Sequence, residues 1–365
     1  MTFEELKQRY EEFLDFREDP DILRLIYGAL CANQLQGNPV WLMIIGPAGC
    51  GKSELLMSLS AAKKHTYTIS SLTPYSLMSG YGDSDETSLI HKLRDKVLII
   101  KDLSSTTEIG KEDRGLLFSF LRDAYDGQVS RATGRGVIRF EGKFGIIAAG
   151  TLAVEQGRKM EAVLGERFLY LRPRFKGEKI LEISLRNATR KIEMRRTLQN
   201  AAGQFLSGYS PPAKRTLPKG VIEASKEAAR VLVRTRSTVI RDSYRKEIEF
   251  PAEVMEIPTR VYEQFILLAL AMRSLGADAD EMEQGIKRLL LDSIPYVRMR
   301  VLEAIADGNT TKSAVAKAIK MSSSPASRCM EDMENLGIIE KNQYNDLTVV
   351  STVLQSALKN GVRKP

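Results

Sequence analysis

The spacing of apolar residues changes along the chain and divides it. FEELKQRYEEFLDF and DPDILRLIYGALCANQL place apolar side chains at helical intervals, the second after an Asp-Pro-Asp start signal, so residues 1–36 read as helices. NPVWLMIIG is then a short apolar run that predicts a buried strand. Further strands are predicted in TYTISSL, KVLII, KFGIIAAGT and RFLYLRPR. Between them, KSELLMSLSAAKK and RGLLFSFLRDAYDG return to the helical period, the latter closed by Gly127. Strands apolar on both faces, alternating with helices, predict an α/β fold with a mainly parallel sheet. QVSRATGRGVIRFEGKF breaks the alternation and reads as two strands around a turn at residues 133–136.

Beyond residue 176 the pattern is helical, interrupted by the Pro/Gly/Ser-rich SGYSPPAKRTLPKG. The last 70 or so residues change again. VRMRVLEAIADG, TKSAVAKAIK and SPASRCMEDMENLG are short helices, and GIIEKNQYNDLTVVS is a strand–turn–strand. Three helices and a hairpin in this order predict a winged helix. The expected organisation is a helical segment at 1–36, an α/β core at 37–175, a basic helical region at 176–294 and a winged helix at 295–365.

Composition narrows the class. Of 365 residues, 43% are hydrophobic and 27% charged, the balance of a soluble chain of two or three domains. No apolar leader and no uncharged run long enough to span a bilayer is apparent, so a cytoplasmic, membrane-free protein is expected. Cys31, Cys50 and Cys329 are scattered, which suits a reducing compartment. With only His65 and His91, zinc chemistry and a Ser-His-Asp hydrolase have little support. The net charge of +8 is uneven: residues 151–250 hold 22 Lys and Arg against 11 Asp and Glu. Such a stripe suits a polyanion, nucleic acid before others.

GPAGCGKS, residues 46–53, satisfies G-x-x-x-x-G-K-[ST] and lies between a predicted strand and a predicted helix. Gly46, Pro47, Ala48, Gly49, Cys50 and Gly51 form a loop whose backbone N–H groups are expected to cradle phosphates. Lys52 is expected to reach the β- and γ-phosphates of ATP, and Ser53 to hold Mg2+. The acid such a site needs comes from VLIIKDLSS, where Asp102 follows an apolar strand. Two registers are open. Lys101 and Asp102 stand in the two positions of the usual acid pair, or Asp102 is the magnesium acid and Leu103 replaces the second. One acid is missing either way, and Glu108 or Glu112 are candidates to supply a base.

The order of the Gly-rich loop, VLIIKDLSS, FLRDAYDGQVSRATGRG, GKFGIIAAGT and LGERFLYLRPR resembles AAA+ ATPases of phages and other mobile elements. It is similar to the branch that includes MCM-like and superfamily-three helicases, over about residues 37–275. The resemblance implies a P-loop AAA+ core with a helical lid ahead of the winged helix. Thr151, where Asn is commoner, then takes the place of the first sensor. Arg167 in GERF resembles an arginine finger that reaches a neighbouring subunit, and Arg260 resembles the second sensor on the lid. A finger in trans implies a ring, a hexamer by analogy. The hairpin at 128–143 is where related helicases grip DNA, with Arg131, Arg135 and Lys143 as the candidate contacts.

The C-terminal domain is ambiguous at this level. The second helix of its reading pair offers Arg328 but also Glu331, Asp332 and Glu334, and that acidity repels phosphate. A protein partner is therefore an alternative to DNA, although Lys341, Asn342 and Gln343 in the wing suit a backbone. The sequence-level expectation is an ATP-dependent DNA motor or remodeller, a helicase in mobile-element replication. Its alternatives are a loader or initiator switch, and an ATP-gated DNA-binding assembly protein.

Overall fold

The computed structural model describes residues 1–73, 76–77, 88–107, 109–133, 136–155, 166–212, 216–242, 244, 247–248 and 256–359. In chain order its elements are α1 (Phe3–Glu11), α2 (Ile22–Ala32), β1 (Trp41–Ile45), α3 (Lys52–Ser58), β2 (Thr66–Ile69), α4 (Leu89–Lys92), β3 (Val97–Ile100), α5 (Lys111–Tyr125), β4 (Gln128–Thr133), β5 (Gly136–Glu141), β6 (Gly145–Gly150) and β7 (Phe168–Leu171). Then come α6 (Gly177–Asn187), α7 (Lys191–Gly208), α8 (Lys219–Arg236), α9 (Thr259–Ser274), α10 (Ala279–Ser293), α11 (Tyr296–Ala306), α12 (Lys312–Ala318), α13 (Ser323–Asn335), β8 (Ile339–Lys341), β9 (Leu347–Val349) and α14 (Thr352–Lys359). The chain divides into two compact units, one of residues 1–218 with 266–282, the other of residues 219–265 with 283–364.

The first unit is built on a five-stranded sheet in the order β2-β3-β6-β1-β7. Every neighbouring pair is parallel. Strands β1, β3, β6 and β7 are buried at every position, which is why they read as unbroken apolar runs. Trp41 opens β1 inside an aromatic box, with ring centroids 5.1 Å from Tyr125, 5.2 Å from Phe168 and 6.1 Å from Phe144. Its indole N–H donates to the Phe144 carbonyl at 3.0 Å, so the polar edge of the buried ring is satisfied. Gly145 opens β6 because Asn33 lies against it: a Cβ there would sit 2.5 Å from the Asn33 side chain. Asn33 is held by the carbonyls of Ala29 and Val40 and by the Val40 N–H.

The N-terminal helices belong to this unit. Thr2 and Glu5 form a reciprocal capping box at the start of α1. Phe3, Tyr27 and Phe205 then pack edge to face, joining α1 and α2 to α7. Glu54 of α3 receives both Nε and Nη2 of Arg195 on α7, at 2.8 and 2.7 Å. The helix after the Gly-rich loop is thereby tied to α7.

The second unit contains a three-helix and hairpin arrangement in the order the sequence predicts: α11, α12, α13, then β8 and β9 paired antiparallel with Ile339 opposite Val349. Met299, Leu302, Val315, Met330, Met333 and Leu347 are buried within it. Thr311 caps α12 by accepting from the Ala314 N–H. A closing helix, α14, was not expected. Arg298 donates to the carbonyls of Thr235 and Ser237 at 2.7 Å, capping the C-terminal end of α8.

Candidate functional site

Parallel pairing brings the chemically marked ends of β1, β6 and β3 to one edge of the sheet. Gly46 N–H donates to the Gly150 carbonyl and Leu103 N–H to the Ala149 carbonyl, so residues 46, 151 and 102 leave neighbouring strands side by side. Two interstrand spacings, roughly 10 Å, separate the β1 end from the β3 end. Thr151 leaves the strand between them.

The Gly-rich loop at this edge is open. Pro47, Ala48 and Gly49 are exposed, and Ser53 is exposed in the first turn of α3. Gly49 and Gly51 take φ of 82° and 87°, which side chains disfavour, and a Cβ at either would meet nothing within 4 Å. Gly46 is different: a Cβ there would stand 3.0 Å from the Cys50 sulfur and 3.7 Å from Lys52 Cδ. Lys52 is buried, 8% exposed, and its ammonium donates to the Gly46 and Pro47 carbonyls at 2.8 and 2.7 Å. The cation is held inside the curve of the loop. The exposed loop, its left-handed glycines and the enclosed ammonium fit a polyphosphate with a divalent cation.

The end of β3 narrows the question left open by the sequence. Leu103 is 1% exposed and packs in the core of the sheet. Positions 101 and 102 are then the two that meet the open edge, Lys101 half-buried and Asp102 exposed. One Asp102 oxygen accepts the Ser104 N–H at 2.8 Å. Ser104 Oγ in turn accepts the Thr151 N–H at 2.8 Å and lies 3.1 Å from Thr151 Oγ1. Thr151 and the Asp102 loop are therefore one hydrogen-bonded group. Glu112 is exposed in the first turn of α5, and Glu108 lies outside the described residues.

Three of the expected contact residues, Arg167, Arg131 and Lys143, make contacts within the chain. Arg167 precedes β7, at the opposite edge of the sheet. It is 7% exposed, with its guanidinium 5.5 Å over the Tyr125 ring and 3.3 Å from Asp126. In the hairpin, direct pairing of Ser130 with Arg139 and of Arg131 with Ile138 puts those two pairs on opposite faces. Arg131 faces inward, donating to Asp123 and Ser119 at 2.8 Å and lying over Phe120. Among the described residues of the hairpin, Arg139 is an exposed arginine on the opposite face. Lys143 follows β5 and donates to the carbonyls of Leu35 and Gly37, with burial lowering its pKa. Arg135 lies outside the described residues. Arg260 lies in the second unit and pairs with Glu256 at 3.2 Å.

The basic stretch is also less free than its composition suggests. Arg172, Lys176, Lys179, Arg190, Arg195, Arg236 and Arg241 are all in ion pairs. Arg241 has the largest consequence. Its guanidinium meets Asp332 at 2.6 Å and Glu331 at 3.5 Å. Lys312 and Lys341 reach Glu334 at 3.5 and 3.6 Å. The acids expected to repel phosphate are thus neutralised within the second unit. What α13 and its approach leave exposed is Lys317, Lys320, Ser322, Ser323, Ser324 and Arg328, a polar and cationic surface.

Residues 296–340 match the winged helix-turn-helix DNA-binding family. The C-terminal region is therefore a winged helix of DNA-binding type, and the paired acids remove the electrostatic objection to that role. No curated protein sequence matches the chain. Among the described residues no helix is long and apolar enough to cross a membrane, and no cluster of His, Cys, Asp and Glu could hold a metal ion.

Proposed function

We propose that this protein is a P-loop ATPase of AAA+ type that couples ATP to DNA remodelling, with the winged helix as its DNA-binding element. The observation that carries the ATPase half is the shared sheet edge: an open Gly-rich loop enclosing the Lys52 ammonium, beside the linked Asp102 and Thr151. Lys52 leaves the loop carbonyls for the β- and γ-phosphates, where its charge offsets that developing on the transferred group. Ser53 and Asp102 are the residues to hold Mg2+, which supplies charge neutralisation across the same phosphates when bound. Thr151, fixed through Ser104, orients the attacking water with Asp102. Among the described hairpin residues, the exposed Arg139 is available to a DNA backbone. Motor activity in mobile-element replication, and assembly into a ring, follow from the resemblance and form the outer part of this proposal.

A second reading, a nucleotide-gated switch or loader that turns over slowly, is favoured by one feature. Lys101 stands where the first acid of the usual pair is expected, and Asp102 already spends one oxygen on the Ser104 N–H. Steady-state ATP hydrolysis, with and without single-stranded DNA, separates the two. DNA-stimulated turnover that disappears in Lys52→Ala and Asp102→Asn is the result expected of a motor or remodeller. Tight ATP binding without turnover in the wild type moves the assignment to the switch. Neither binding nor turnover refutes both. Size measurement with and without ATP tests the ring.

A further inference from the structure

The tip of the wing is ordered more firmly than its exposure requires. The side-chain oxygen of Asn342 accepts the N–H groups of Tyr344 and Asp346 at 2.8 and 3.0 Å. The Asn342 N–H donates to the Asp346 carbonyl at 2.9 Å, and the Asn345 N–H to the Asn342 carbonyl at 3.0 Å. Asn345 takes φ of 62°, a left-handed conformation that Asn tolerates. This locked turn carries one large side chain, Tyr344, and it is 75% exposed. The match to the winged-helix family stops at residue 340, so the tip is a feature of this chain beyond the matched region.

Charge decides what the tip can do. A wing that follows a phosphate backbone presents free cations. Here Lys341 is paired with Glu334, Glu340 is exposed on the same strand, and residues 342–345 are uncharged. The binding surface the tip offers is an aromatic ring flanked by the exposed amides of Gln343 and Asn345. Inside a duplex both faces of a base are already stacked. A ring held out on a rigid turn gains a partner only where a base has a free face, at a frayed end or in a single strand.

We propose that the wing of this domain is a stacking platform for an unpaired base. The winged helix then binds at a junction of double- and single-stranded DNA, with the exposed start of α13 on the duplex and Tyr344 on the first unpaired base. The inference rests on the winged helix binding DNA and is independent of ATP.

The experiment uses the full chain without nucleotide and two DNAs. One is a blunt duplex, the other the same duplex with a short overhang whose first unpaired base is 2-aminopurine. Anisotropy reads affinity and 2-aminopurine emission reads stacking. Wild type is expected to favour the junction and to quench the probe. Tyr344→Ala is expected to lose about tenfold in junction affinity and to lose the quenching, with blunt-duplex affinity within about twofold. Tyr344→Phe should retain both signals. An equal loss on both DNAs in Tyr344→Ala overturns the proposal, as does quenching that survives the substitution. Wild type that binds the blunt duplex without preferring the junction also overturns it, while leaving the DNA-binding assignment intact. Wild type that binds neither DNA overturns both.

Discussion

Lys52 and Arg241 are both cations whose partners define a site, but they find those partners at very different distances along the chain. Lys52 donates to carbonyls five and six residues before it. Arg241 meets a carboxylate 91 residues further on. The first arrangement is a property of a local motif and stays on one loop. The second turns two acids of α13, Glu331 and Asp332, from a repelling face into an internal network, and no local pattern announces it. A charge read from sequence is therefore interpretable where its partner is close by, and misleading where its partner comes from another element.

Removing each cation in turn tests this contrast. Lys52→Ala should lower ATP turnover by at least on the order of 100-fold, because its charge is the one aimed at the transferred phosphate. A turnover defect of only a few-fold would detach Lys52 from the chemistry. Arg241→Ala should instead leave turnover without DNA alone and weaken DNA binding on the order of tenfold, because Asp332 and Glu331 are uncovered beside the DNA-facing surface. Adding Asp332→Asn to that variant should recover most of the loss. If the double variant binds no better than the single, the acids are not what Arg241 was masking.

The hairpin offers the same comparison within one strand pair. Arg131→Ala should destabilise the first unit by about 1–2 kcal/mol through its lost bonds to Asp123 and Ser119. Arg139→Ala should leave the melting temperature unchanged and reduce DNA affinity a few-fold. Reversed outcomes would mean that the hairpin faces have been assigned the wrong way round.

The smallest effect concerns pH. Hydrogen bonds from Arg195 hold the Glu54 carboxyl below its ordinary value of 4.5. A carboxylate with a depressed folded-state pKa stabilises the fold above its unfolded value and loses that contribution as pH falls through the folded one. Wild type should therefore lose more stability than Glu54→Gln when melting is followed from pH 6 down to pH 3. Parallel curves would show the α3–α7 tie to be energetically silent.

The legibility of the fold follows the same rule of distance. Strands β1, β3, β6 and β7 are buried on both faces and announced themselves as apolar runs, and the Gly-rich loop is contiguous. The winged helix was readable because its helices and hairpin are short and sequential. Arg131 and Arg139 were not separable until the register of β4 against β5 was known, since either choice of inner face suits the composition. The packing of Arg167 against Tyr125 and Asp126, some forty residues earlier, was also not legible, since no local pattern joins those positions. The role of Leu103 likewise needed its burial, which strand alternation cannot supply in a two-sided sheet.

Trp41 is the chain's only tryptophan, and it lies in the first unit. Its indole emission is accordingly a spectroscopic label for one unit alone. Boxed by aromatic rings at 1% exposure, it should emit in the blue when folded and shift red on unfolding. Circular dichroism sums over the helices of both units. Comparing the two signals through a urea titration asks whether the sheet and the winged helix lose structure together: superimposed curves mark one cooperative transition, and a helical signal that melts apart from the indole marks two.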